Sequence, residues 1–270
     1  MADDLVDEFM DSHGNIRRPG SLIIPPGFVS SFPPTEAAPE FPQWDDADIR
    51  AVISDPNRRD MVKLFPFEKY GTNQHSTSAC NGFAAAGAVT RIRKLRGIDD
   101  GWVGSGSFVY SRINGHRDNG SILEDGMKAI QTTGVCSQEE CPWDRIYTDQ
   151  QSPAAFEQAQ KHKGLAAYRA VTKQGWLTGL AAGFVGIAAI TVGPKFDVIK
   201  NGVAGVQQGG GNHAVLIENL AWRNGMFQFL MCNSWGSGYS ENGRVWLTWD
   251  HFAQPFASHV FYLLPSSEES

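Results

Sequence analysis

Four side chains in this sequence have the types and spacing for acyl transfer. Cys80 follows Asn73-Gln74-His75-Ser76-Thr77-Ser78-Ala79, and after it small or apolar residues recur at Phe83, Ala84, Gly87, Ala88, Ile92 and Leu95. That repeat is one face of a helix, with Gly97 as its stop. With Ser78 as N-cap, Cys80 falls in the first turn, among unpaired N–H groups at the positive end of the helix dipole. The setting predicts a lowered thiol pKa and a nucleophilic thiolate. Gln74 lies across the preceding loop, where its amide and the Cys80 N–H would make a two-donor oxyanion hole. A base is offered by His213, where Gly209-Gly210-Gly211-Asn212 runs into an apolar strand. Asn233, ending a second strand in Met231-Cys232-Asn233-Ser234-Trp235-Gly236, would accept from the imidazole N–H and fix its tautomer.

In this order, Gln74 with Cys80, Asn212-His213-Ala214 and Asn233-Ser234-Trp235-Gly236 resemble the papain family of cysteine peptidases. The His213–Cys80 separation lies inside the roughly 130–150 residues of that family, and the Asn233–Cys80 separation lies just beyond it because of the intervening hairpin. The likeness extends through Asp118-Asn119-Gly120, Gly134-Val135-Cys136 and Cys141-Pro142-Trp143, which are similar to bacterial-type members, and covers about residues 60–265. It implies an α+β fold, with a helical left half packed on an antiparallel β-barrel-like right half and the active site in the cleft between. It also implies hydrolysis of peptide bonds in a polypeptide substrate through a thioester acyl-enzyme, with no cofactor; no cysteine pair has zinc-ligand spacing with histidines, so no metal is expected. Asn119 and Gly120 would then present backbone to an extended substrate, while Asn212 and Trp235 complete the substrate-binding candidates. Trp235 would also shield the Asn233–His213 bond from water.

Two positions depart from the family pattern. Thr77 stands where a half-cystine normally precedes the nucleophile, and Asn81 replaces an aromatic residue. These departures keep a catalytically inactive peptide- or protein-binding module open as an alternative, beside an amidase or transamidase with the same chemistry.

The elements that must position these residues can be read in outline. Residues 45–53 form a short helix, and 61–66 lead into the catalytic part. By the resemblance, Phe108-Val109-Tyr110 begins a second short helix. Ser121-Ile122-Leu123-Glu124 has the form of a capping box opening a helix that Gly134 ends, and Ser152-Pro153 opens another over 154–162. The second half is β-rich, with strands over 165–171, 184–192, 213–222, 226–233, 243–249 and 259–264, and a helix over 173–182. Arg223-Asn224-Gly225 makes a hairpin turn. The expected organisation is a Pro-rich N-terminal extension or pro-segment over 1–59 and a catalytic domain over 60–270, its helical half about 60–163 and its β-rich half about 164–265.

Residues 1–43 differ in composition from the rest. Asp3, Asp4, Asp7, Glu8 and Asp11 make the start acidic, and Pro19, Pro25, Pro26, Pro33, Pro34, Pro39 and Pro42 favour an extended course. This extension either lies along the groove in cis as an inhibitory segment, or wraps the surface or remains disordered. The net charge of −6 gives a nucleic-acid partner no electrostatic support. The longest apolar stretch, 176–192, is broken by Gly179, Gly183 and Gly186 and is too short for a membrane span. Residues 1–20 carry no secretory signal, which makes the cytoplasm the default compartment. Cys80, Cys136, Cys141 and Cys232 do not make a disulfide framework; Cys136 and Cys141 are read as two free thiols, with a local bridge on oxidation as the alternative, and Cys232 as a buried strand residue.

Overall fold

The computed structural model describes residues 8–22, 24, 28–38, 41–98, 100–163, 165–252 and 261–264. Asp3, Asp4, Asp7, Pro25, Pro26, Pro39 and the predicted strand start at His259 lie outside the described residues. Strands β1 (Phe9–Met10) and β2 (Ile16–Arg17) pair antiparallel around a turn in which the Asp11 carboxylate accepts the His13 and Asn15 N–H groups. Helix α1 (Asp46–Ile53) starts on a reciprocal cap between Asp45 and Asp48. Two single-turn helices follow, α2 (Met61–Leu64), capped by Asp60, and α3 (Phe67–Tyr70).

Helix α4 (Cys80–Leu95) begins at the predicted cysteine, but the predicted cap is not used. Ala79 is the N-cap and makes no side-chain cap bond, because Ser78 faces the other way and gives its N–H to Asp118 Oδ1 at 2.8 Å. Helix α5 (Gly106–Ser111) is capped by Ser105. Helix α6 (Leu123–Thr132) lacks the predicted capping box. Its N-cap is Ile122, since Ser121 Oγ accepts from Asn81 Nδ2 and Glu124 accepts the N–H and O–H of Ser31. Ser152 caps α7 (Pro153–Gln160) with proline in the first turn, and Thr172 caps α8 (Lys173–Ala181).

The remaining strands are β3 (Tyr168–Arg169), β4 (Val185–Ile190), β5 (His213–Arg223), β6 (Met226–Cys232), β7 (Arg244–Leu247) and β8 (Phe261–Leu264). They form one sheet in the order β3-β8-β4-β5-β6-β7, with every neighbouring pair antiparallel. The predicted barrel-like closure is absent among the described residues, and the sheet stays open between β3 and β7. The predicted strand over 165–171 shortens to two residues, with the Arg169 N–H given to Pro33 of the N-terminal chain. The β5–β6 hairpin turns on Asn224 and Gly225, both at positive φ (52° and 77°), as a two-residue turn between twisted strands requires.

Helix α4 is buried from Cys80 to Ile92, packed between α5 and α6 on one side and β4 and β5 on the other. A Cβ on Gly82 would lie 2.3 Å from the Gly106 carbonyl, so the approach to α5 requires glycine there. Farther along α4, Arg91 pairs with Glu218 of β5, whose other carboxylate oxygen takes Arg244 Nε of β7 at 2.7 Å. All three side chains are buried, and the two guanidinium groups hold the Glu218 carboxyl below its ordinary range against the opposing effect of burial. Glu218→Ala would leave two buried cations without a counter-ion. The expected cost is about 3–5 kcal/mol of unfolding free energy, read from the midpoint of urea denaturation.

Candidate active site

The site forms where the start of α4 meets the start of β5. Cys80 Sγ accepts the Ala214 N–H at 3.3 Å, which ties the sulfur to the residue that follows His213 in the strand. Antiparallel pairing of His213 with Ile190 fixes the end of the strand. Strand β6, on the other side of β5, delivers Asn233 just past its last residue. Asn233 Oδ1 lies 2.9 Å from His213 Nε2 and also accepts the Ser234 N–H at 2.9 Å. Two donors on one atom identify it as the carbonyl oxygen, so Nε2 carries the proton and the lone pair sits on Nδ1. That Nδ1 is buried and has no hydrogen-bond partner among the described residues. Trp235 stacks on the imidazole with ring centroids 4.7 Å apart, which excludes water from the Asn233–His213 bond.

Gln74 is fully buried in the loop before α4. Its Oε1 accepts from Ser234 Oγ at 2.6 Å, which orients Nε2 as a donor toward Thr77 O at 2.7 Å and Arg18 O at 3.2 Å. The two departures from the family pattern are absorbed locally. Thr77 Oγ1 donates to Gln74 O at 2.7 Å, and Asn81 Nδ2 donates to Ser121 Oγ and Ile122 O, in space that Gly126 leaves free.

The N-terminal chain crosses this site. Gly20 is sandwiched so closely that a Cβ on it would lie 1.9 Å from Ser78 O. Ser121 gives its N–H to Gly20 O at 2.8 Å and accepts Leu22 N–H at 3.0 Å, a parallel bridge, while Ser21 donates to Asn212 O at 2.9 Å. The Arg17 guanidinium lies 5.0 Å above the Trp235 ring and is held there by Asp11 at 2.6 Å. Phe9 meets the same tryptophan edge-on. Farther along, Ile24, Phe28 and Phe32 pack into the apolar cluster that contains Cys80, Leu123, Met127, Ala189 and Ala214.

Covering the site reverses the expected acidity of the thiol. Burial pushes Cys80 up to about 11, although the N–H groups of Ala214, Gly20, Asn81 and Cys80 itself pull the other way. Desolvation therefore outweighs the helix terminus that predicted a lowered pKa. Burial likewise pushes His213 down to about 4, opposed by the Asn233 bond and reinforced by Arg17. At neutral pH the covered pair is a neutral thiol and a neutral imidazole.

A family model described as "Papain family cysteine protease" matches residues 69–260. The chain belongs to the papain family of cysteine proteases. Among solved structures, this papain-family chain is similar to xylellain, a cysteine protease from Xylella fastidiosa. The two share 18% identity over 98% of this chain and 99% of that one, with a TM-score of 0.72. A recombinant stem bromelain precursor matches at 20% identity over 99% and 85% of the two chains, with a TM-score of 0.65. Procathepsin B S9 from Trypanosoma congolense matches at 15% identity over 92% and 87%, also at 0.65. A sequence search of curated proteins gives no match. Family and fold together make the protein a cysteine peptidase.

Of the residues singled out in the sequence, the structure brings Gln74, Cys80, His213, Asn233 and Trp235 together, while the Asn212 side chain is turned to the Val192 backbone and its carbonyl accepts the Ser21 N–H. The N-terminal chain makes its strand-like bonds to Ser121, next to Asn119 and Gly120. Gly120, at φ +86°, shapes the turn and leaves room for the Gly20 carbonyl. Sequence reading missed Gly20 and Ser121; a glycine set between Pro19 and Ser21 was the available signal of close approach. With the site covered, iodoacetamide labelling of Cys80 is expected to rise about tenfold per pH unit between pH 7 and pH 10. Peptide mapping of the alkylated full-length chain checks this, and a rate already level at pH 8 would contradict it.

Proposed function

We propose that this peptidase acts through Cys80 as nucleophile, His213 as base and acid, Asn233 as the group that fixes the imidazole, and Gln74 with the Cys80 N–H as oxyanion donors. The same reading takes residues 60–270 as the catalytic domain. The observation that carries the reading is the Asn233–His213 bond, which leaves a bare Nδ1 on the residue whose successor's N–H touches the Cys80 sulfur. In the uncovered site, the thiol proton passes to His213 and the thiolate adds to the carbonyl carbon of a polypeptide substrate. Negative charge builds on the carbonyl oxygen, where Gln74 Nε2 and the Cys80 N–H would donate to it. The tetrahedral species collapses to a thioester as His213 gives its proton to the leaving amine. Water, deprotonated by His213, then releases the acid and restores the thiol.

We infer that residues 8–22 hold the peptidase closed in cis. Support comes from the Arg18 carbonyl at the Gln74 amide, the Gly20 sandwich, and the stacking of Arg17 on Trp235. Several similar structures are precursor or pro-forms, including a digestive procathepsin L 3 and the stem bromelain precursor. The hydrogen bonds of Thr77 and Asn81 leave the Cys80–His213–Asn233 geometry in place, which favours an active enzyme over an inert binding module.

Two outcomes follow. Cys80→Ala should lower peptidase activity at least about a thousandfold while keeping the fold, and incubation followed by mass analysis should show the N-terminal residues lost from the wild type alone. Full activity in Cys80→Ala would remove Cys80 from the mechanism. The second concerns acid. His213 is held at about 4 in the closed form, and an exposed imidazole sits near 6.5, so protonation favours the uncovered form as pH falls through that window. Arg17 adds like charge, and Trp235, Asn233 and Cys80 complete its neutral surroundings. Hydrogen-exchange protection at Ser21 and Leu22, corrected for intrinsic rates, should fall between pH 7 and pH 5; unchanged protection would refute the coupling.

A further inference from the structure

Asp118 stands beside the proposed oxyanion donors and has no part in the chemistry set out above. Its Oδ1 accepts the Ser78 N–H at 2.8 Å and the Tyr110 phenol O–H at 3.1 Å. Ser78 belongs to the turn that carries Cys80, so the carboxylate is fixed to the nucleophile's own loop. The other oxygen, Oδ2, lies 3.6 Å from Arg18 Nη1, and the Asp118 side chain is only 18% exposed. The same Arg18 places its backbone carbonyl 3.2 Å from Gln74 Nε2. One residue of the covering segment therefore puts a carbonyl at the oxyanion donor and a guanidinium at Asp118. The rest of that guanidinium pairs with Glu8 of the same segment.

When the segment leaves, Glu8 and Arg18 leave with it, while the Ser78 and Tyr110 bonds remain. Asp118 then keeps a fixed anionic oxygen facing the space that Arg18 vacated. We propose that Asp118 is a specificity-determining residue that selects arginine or lysine as the substrate residue contributing the scissile carbonyl. This rests on the assignment of Cys80 and Gln74 above and names the substrate class of that site. Two hydrogen bonds already immobilise the carboxylate, so an incoming cation need not order it. The expected preference is about tenfold, between the few-fold effect of an exposed pair and the larger effect of a buried one.

The test uses two peptidyl acyloxymethyl ketones that differ only in arginine or citrulline next to the ketone. The Cys80 thiolate displaces the carboxylate of either probe to give a thioether. Because any residual covering of the groove slows both probes alike, the ratio of labelling rates in the full-length chain reports selectivity. Wild type should prefer the arginine probe about tenfold, and Asp118→Asn, which can still accept from Ser78 and Tyr110, should bring the ratio close to one. A wild-type ratio near one overturns the proposal whether or not Asp118→Asn folds, and an unchanged high ratio in Asp118→Asn overturns it as well. If neither probe labels Cys80 at pH 5, where the covering segment opens, while iodoacetamide does, the assignment of Cys80 and Gln74 to peptide cleavage falls, and this proposal with it.

Discussion

The position of helix α4 against strand β5 is the constraint on which the rest of the molecule depends. The sulfur belongs to the first residue of the helix and the imidazole to the first residue of the strand. No covalent link fixes one to the other. What fixes them is a seam of close contacts, from the Ala214 N–H on the sulfur, past Gly87 facing Leu216, to the buried Arg91–Glu218 pair. The pair lies about three turns along α4 from the sulfur, where it resists rotation of the helix against the sheet. A desolvated ion cluster is a costly way to gain stability but a specific way to define register.

The second governing balance is between dipole and desolvation. A cysteine at a helix start gains from nearby N–H groups, yet those groups act on a sulfur that the N-terminal chain has sealed from water. The sealed environment wins, and the same covering lowers the imidazole. Removal of one extended segment therefore changes both partners at once, in the direction that favours charge on each. Arg17, Trp235 and Asp11 hold that segment through side chains that meet outside the sulfur's immediate shell.

Much of this was legible because the chemistry is local and the separations are large and specific. Cys80 at a helix start, His213 at a strand start, and Asn233 at a strand end could be placed from periodicity and glycine punctuation alone. The same is true of the Ser152-Pro153 and Asp45 helix starts. Ser78 and Ser121 misled for a shared reason. Each has cap-forming chemistry, but tertiary partners took up their polar groups, Asp118 for Ser78 and Asn81 for Ser121. Local propensity does not reveal such a competitor. The backbone register between Gly20–Leu22 and Ser121 was equally hidden, since it is set by close packing that a one-dimensional pattern does not encode. The barrel-like closure was expected from the family resemblance, whereas β3 has Arg169 bonded to Pro33 and β7 has Trp246 bridged to Val203.

The covering chain engages the two halves of the site with different peptide groups. The Gln74 amide holds the carbonyl of Arg18, whereas the sulfur is met by the N–H of Gly20, with Pro19 between them. A nucleophile facing an N–H has no electrophilic carbon to attack. If the enzyme trims its own head, the closed molecule is a poor executioner of itself and the cut falls to a neighbour already open. Maturation would then be bimolecular and autocatalytic, with a lag that shortens as the protein becomes more concentrated and disappears when a trace of trimmed enzyme is added.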